Sequence, residues 1–108
     1  MGREIMSISS QRVPISPDIV RRLGNNVSAA YYYSQLLYYN HYGKKDIGGW
    51  FNKSSKEVED DLGIGRRQQE HSRSLLEERG WIKTTTTRGG IRPGTKFLIL
   101  VDLSRKTA

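Results

Sequence analysis

From Gly63 to Ser74 the chain reads GIGRRQQEHSRS, a run dense in side chains that recognise other molecules. An arginine guanidinium is a planar fork of donors that matches guanine O6 and N7, or a phosphate. A glutamine amide carries a donor and an acceptor that together match adenine N6 and N7. A carboxylate such as Glu70 accepts from cytosine. The run has three readings: a glycine-rich phosphate cradle at a helix start, a helix face that reads DNA, or a solvated surface helix with no role.

Catalytic chemistry is thin elsewhere. The only histidines are His41 and His71, and cysteine is absent, which excludes disulfides, thiolate nucleophiles and Cys-based zinc sites. No HExxH-like spacing occurs, and the GIG turn lacks the full P-loop or dinucleotide pattern with a βαβ unit before it. The expectation is a protein that is not an enzyme, with no catalytic residue, no metal and no cofactor.

Charge narrows the partner. Residues 62–108 hold ten Lys/Arg against four Asp/Glu, so +6 of the net +7 lies beyond Asp61. A basic half of this kind suggests a polyanion, nucleic acid before membrane. No apolar run approaches the roughly 20 residues that span a bilayer, and the N-terminus lacks the apolar stretch of a secretory signal. These features predict a soluble, cytoplasmic protein with no membrane partner.

The length of 108 residues favours one domain. Residues 1–13 read as a flexible arm, 14–103 as the folded domain and 104–108 as a tail. Ser16-Pro17-Asp18 has the chemistry of a helix start, and Gly24 that of a stop. A longer helix is predicted from about Val27 to Tyr42, capped by Asn26 or Ser28. It contains all six tyrosines. Ala29, Tyr33, Leu36, Leu37 and Asn40 fall on one face at helical spacing, with Tyr32 and Tyr39 beside it. Tyr31, Gln35, Tyr38 and Tyr42 form another. So much aromatic surface predicts that Tyr31, Tyr38 and Tyr42 meet a partner, with a second copy the first candidate.

Trp50 to Lys53 reads as a short strand. Ser54 and Glu57 have capping-box spacing and open a helix to about Asp61. Gly63-Ile64-Gly65 reads as a tight turn, followed by a helix from about Arg66 to Arg79 that stops at Gly80. Trp81–Thr87 and Thr95–Asp102 read as strands around the Gly- and Pro-rich turn 88–94. Two helices joined by a short glycine turn are the helix-turn-helix signature, and a hairpin after them makes a winged helix. The predicted class is therefore α+β, mainly α, ending in a β-hairpin wing.

The run Ser55 to Ile82 resembles the helix-turn-helix of bacterial winged-helix DNA-binding proteins and regulators. The frame residues are Leu62-Gly63-Ile64, then Leu76-Glu77-Glu78-Arg79-Gly80-Trp81-Ile82. The stretches SQLLYY, GWFNKS and RRQQE are similar to N-terminal domains of phage and plasmid replication proteins. The resemblance covers about residues 13–103. It departs from the family at Gly65, where Ser or Thr is common, and at Gln69, Ser72 and Arg73, where apolar residues are common. The inner face of this helix is expected to rest on Leu75, Leu76 and the alkyl part of Arg73. Members of that class are commonly longer, so the chain reads either as one piece of such a protein or as a stand-alone regulator.

The resemblance implies sequence-specific binding of double-stranded DNA, with the helix of about 66–79 in the major groove and the wing against the duplex. Its outward residues are Arg66, Arg67, Gln68, Glu70, His71 and Ser74. Base contacts are assigned to Arg67, Gln68 and His71. Backbone contacts are assigned to Arg66, to Lys53, Ser55 and Lys56 at the preceding helix start, and to Lys83, Arg88, Arg92 and Lys96 on the wing. The acidic cluster Glu57, Glu59, Asp60 and Asp61 is expected to face away. The implied role is a replication or partition factor, or a transcriptional regulator, acting on the nucleoid as a homodimer. Other replication, partition or transcription proteins are further candidate partners. The alternative is a winged-helix protein-interaction module that uses the tyrosine-rich helix.

Overall fold

In the computed structural model, residues 16–87 and 94–103 are described. The expected arm at 1–13, the tail at 104–108 and the wing tip with Arg88 and Arg92 lie outside them. The described residues form four helices and one three-stranded antiparallel sheet, an α+β and mainly helical arrangement as the sequence predicts.

The first helix, α1 (Pro17–Arg22), starts where Ser16 accepts the backbone N–H of Ile19 at 3.2 Å. Proline at its first position lacks only a donor that would be unpaired there anyway. It closes when Gly24 N donates to Arg21 O and Asn25 N to Val20 O, the paired bonds of a Schellman turn. Gly24 takes φ +70°, which favours glycine.

The second helix, α2 (Val27–Tyr42), is capped by Asn26, whose side chain accepts from Ala29 N at 3.0 Å. It packs on α1, on the fourth helix and on the sheet. Buried positions run round almost its whole circumference, including Tyr32, Tyr33, Gln35, Leu36, Leu37 and Tyr39. It is a core helix rather than an amphipathic one, which corrects the division into faces: Gln35, expected beside Tyr31, Tyr38 and Tyr42, is only 4% exposed.

Strand β1 (Phe51–Lys53) leads into α3 (Ser55–Leu62) through a capping box. Ser54 accepts from Glu57 N at 3.1 Å, and Glu57 accepts from Ser54 N at 2.9 Å. Helix α4 (Arg66–Glu78) follows the Gly63-Ile64-Gly65 turn and ends in a second Schellman pair, Trp81 N to Leu76 O and Gly80 N to Glu77 O. Leu76 and Trp81 are both buried there.

Strands β2 (Ile82–Thr87) and β3 (Gly94–Ile99) complete a sheet of order β1-β3-β2. Phe51 pairs with Phe97 and stacks on it at 5.3 Å; Thr84 pairs with Phe97 from the other side. Tyr39 meets Phe51 edge-on, and Tyr33 packs on Trp81. The core therefore lies between α2 and one sheet face.

The last strand stops three residues short of the expected Asp102. Leu100 N and Val101 N both turn to Trp81 O, which breaks the ladder. Residues 101–103 then bend onto α2. The Tyr33 hydroxyl donates to Val101 O and accepts from Leu103 N, while His41 Nε2 lies 2.9 Å from the Asp102 carboxylate.

Candidate nucleic-acid interface

Helix α4 divides its residues sharply. Arg66, Arg67, Gln68, Glu70, His71 and Ser74 are exposed; Gln69, Ser72 and Leu76 are buried; Arg73 and Leu75 are half-buried. The expected outward set is thus held together on one helix. The inner face differs from expectation. Leu76 belongs to it, but Gln69 and Ser72 supply the rest, with Leu75 and Arg73 at its margin.

A buried glutamine needs partners, because an unmatched amide in the interior costs about 1–3 kcal/mol. Gln69 Nε2 donates to Ser55 O and to Ile64 O, each at 2.9 Å. Ser72 is fully buried against the rest of the fold, and its Oγ makes no hydrogen bond among the described residues. Burial pushes the Tyr32 phenol up to about 12, with the Arg73 charge offsetting part of the rise.

The start of α4 is electrostatically inverted. A helix N-terminus carries partial positive charge and favours acids. The other two short helices obey this, with Asp18 in α1 and Glu57 in α3. In α4 the first turn has no acid and opens with Arg66 and Arg67, and Gly65 provides no side-chain cap. Glu70 lies 3.8 Å from Arg66 one turn later, but both side chains are more than half exposed. Such a pair in water is worth only about 0.3–0.5 kcal/mol.

Beside this start lies a cleft of about 410 Å³, between the first turns of α3 and α4 and the turn-proximal ends of β2 and β3. Ser55, Lys56, Arg66, Thr86 and Thr95 line it, and so does Glu59. The acidic cluster is therefore split. Asp61 accepts from the Tyr39 hydroxyl, Asp60 pairs with Lys56 and Glu57 caps α3, but Glu59 stands in the cleft with Arg66.

The expected backbone-contact residues separate into groups. Ser55, Lys56 and Arg66 meet at the cleft. Lys53 sits with its ammonium 4.4 Å from the centre of the Tyr39 ring, a cation–π contact that holds the half-buried lysine inward. Lys83 and Lys96 occupy the opposite sheet face from Thr86 and Thr95, because their registers alternate with theirs. Lys96 is paired with Asp46 at 3.4 Å. Hydrogen bonds from the Trp50 and Gly48 backbone, then Lys96, hold the Asp46 carboxyl below its usual range. Arg88 and Arg92 lie outside the described residues.

Of the expected partner surface, Tyr42 is 74% exposed while Tyr31 and Tyr38 are half-buried. Tyr38 lies between the core and Tyr42, with ring centres 5.1 Å from the latter. Among the described residues no group of His, Asp and Glu converges to hold a metal, and no helix is long and apolar enough to cross a membrane. Comparison with protein-family models, curated proteins and solved structures finds no match.

Proposed function

We propose that the chain is a winged helix-turn-helix that binds double-stranded DNA sequence-specifically, with α4 in the major groove and the β2–β3 hairpin as the wing. The supporting order is helix, glycine turn, helix, hairpin. Arg67, Gln68 and His71 read base edges; Arg66, Ser55 and Lys56 meet phosphates at the rim of the cleft, against the opposing charge of Glu59, the one member of the acidic cluster that does not face away from it. Lys83 and Lys96 belong to a separate stretch of the surface, and the other two expected backbone contacts, Arg88 and Arg92, lie outside the described residues.

The observation that carries this reading is the pair of arginines at the uncapped start of α4. Two cations at the positive end of a helix oppose its dipole by about 0.3–1 kcal/mol each. A merely solvated helix gains nothing from that arrangement. An anionic groove reverses the sign, since the dipole and both guanidinium groups then act on the same phosphates and bases.

The protein acts as a homodimer on repeated half-sites, with Tyr42 as the exposed aromatic of the contact, and as a replication or partition factor or a transcriptional regulator. Selection from a pool of random duplexes tests the binding claim: enrichment of a defined site supports it, and no enrichment at low salt contradicts it. Genomic footprinting separates the roles. Occupancy of its own promoter marks a regulator, whereas clustered repeats in an origin mark replication or partition.

A further inference from the structure

Gln69 is the fourth residue of α4, flanked by the groove-facing residues Gln68 and Glu70. Its side chain is 2% exposed. A primary amide has two N–H donors, and here both have backbone acceptors in two different segments. Ser55 O belongs to the first turn of α3, and Ile64 O to the turn between the helices. One head group thus joins α4, α3 and the turn that sets their angle.

The N-cap of α4 supplies no such tie. Gly65 has no side chain to cap with, and nothing lies within 4 Å of where its Cβ would stand. Gly63, at φ +75°, also has open space around it. Two glycines on either side of Ile64, each with open space where a side chain would stand, make a permissive joint. The apolar contacts of α4, Leu76 above all, lie at its other end, about 10 Å along the axis from Gln69 at 1.5 Å per residue. A helix held by its far end can swing at its near end unless something pins it.

We propose that Gln69 is a positioning residue for the outward face of α4. Its amide pins the start of that helix to α3 and to the turn, and so fixes the aim of Arg67, Gln68 and His71. A leucine at this site fills similar space but has no donors, so α4 would remain packed yet free to tilt. The consequence for recognition rests on the DNA-binding reading; the clamp itself does not.

The test uses the full chain labelled for NMR. In the wild type, both Gln69 side-chain N–H protons should exchange with water far more slowly than those of exposed Gln68. In Gln69→Leu, residual dipolar couplings should show α4 reoriented or mobile relative to α3, with α2 and the sheet unchanged. Affinity for random duplex should stay within about twofold, while affinity for the duplex selected by the wild type falls about tenfold, the loss expected of a misplaced base reader. Gln69→Glu, which replaces the donating amide with carboxylate oxygens facing two carbonyl acceptors, should disturb the joint more strongly than leucine does.

Equal exchange at Gln69 and Gln68 would overturn the clamp, and so would an unchanged α3–α4 orientation in the leucine variant. Reorientation with an unchanged ratio of specific to random affinity would overturn the positioning role. If the leucine variant does not fold, the wild-type exchange comparison decides. If the wild type selects no duplex, the DNA-binding reading fails while the NMR measurements still judge the clamp.

Discussion

Arg66 reaches Glu70 across one turn of α4 at 3.8 Å, and this exposed pair is the nearest negative charge that the helix supplies to its own cationic start. It is too weak to offset two arginines at a positive dipole end. A trade between stability and binding follows. Arg67→Glu should stabilise the fold by about 0.3–1 kcal/mol at low salt, because it puts an acid where the dipole favours one. The same change should abolish duplex binding. Urea unfolding and fluorescence anisotropy on one preparation measure both; a variant that is destabilised would remove the argument from the dipole.

Tyr33 ties the end of the chain's last described segment to α2. Its hydroxyl donates to Val101 O and accepts from Leu103 N, while its ring packs on Trp81 at 5.1 Å. Tyr33→Phe keeps the ring and strands both backbone groups. The expected cost is about 1–2 kcal/mol, read as a lower urea midpoint with an unchanged slope. Amide exchange at residues 101–103 should speed up in parallel.

Alkaline titration offers a check on the core. Burial pushes the phenols of Tyr32 and Tyr33 up to about 12, and burial and then the Asp61 hydrogen bond raise Tyr39 further. A folded pKa above the unfolded value of about 10 gives stability that is full below pH 10 and is lost as pH rises through the folded value. Absorbance at 295 nm should therefore show a tyrosine phase near pH 12 that coincides with loss of the far-ultraviolet dichroism. A single ordinary phase with the fold intact would contradict the burial of these rings.

Tyr42 provides the test of self-association. Sedimentation should detect a dimer in the presence of a duplex carrying two half-sites, and Tyr42→Ser should shift it toward monomer without altering the melting temperature by more than about 2 °C. A strict monomer with and without DNA would end the dimer proposal.

The helix starts were legible because their chemistry is local. Ser16-Pro17, Asn26 and the Ser54–Glu57 box each satisfy backbone donors within three residues, so spacing alone announces them. Other features depend on contacts between distant segments. Gln69 reads as a surface residue until Ser55 O and Ile64 O are seen beside it. Lys53 reads as a free cation until Tyr39 lies under it. Periodicity divided α2 into two faces, but a helix surrounded by α1, α4 and the sheet has almost no outer face. The end of β3 was misplaced because hydrophobic pattern cannot register that Trp81 O captures two successive amides.

The central claim is that Arg67 and Gln68 read bases from the major groove. The direct measurement is the affinity of wild type, Arg67→Ala and Gln68→Ala for a selected duplex and for a random one, across a salt series. Each variant should lose roughly 1–3 kcal/mol on the selected duplex, with little change on the random one. Equal losses on both duplexes, or none on either, would contradict it.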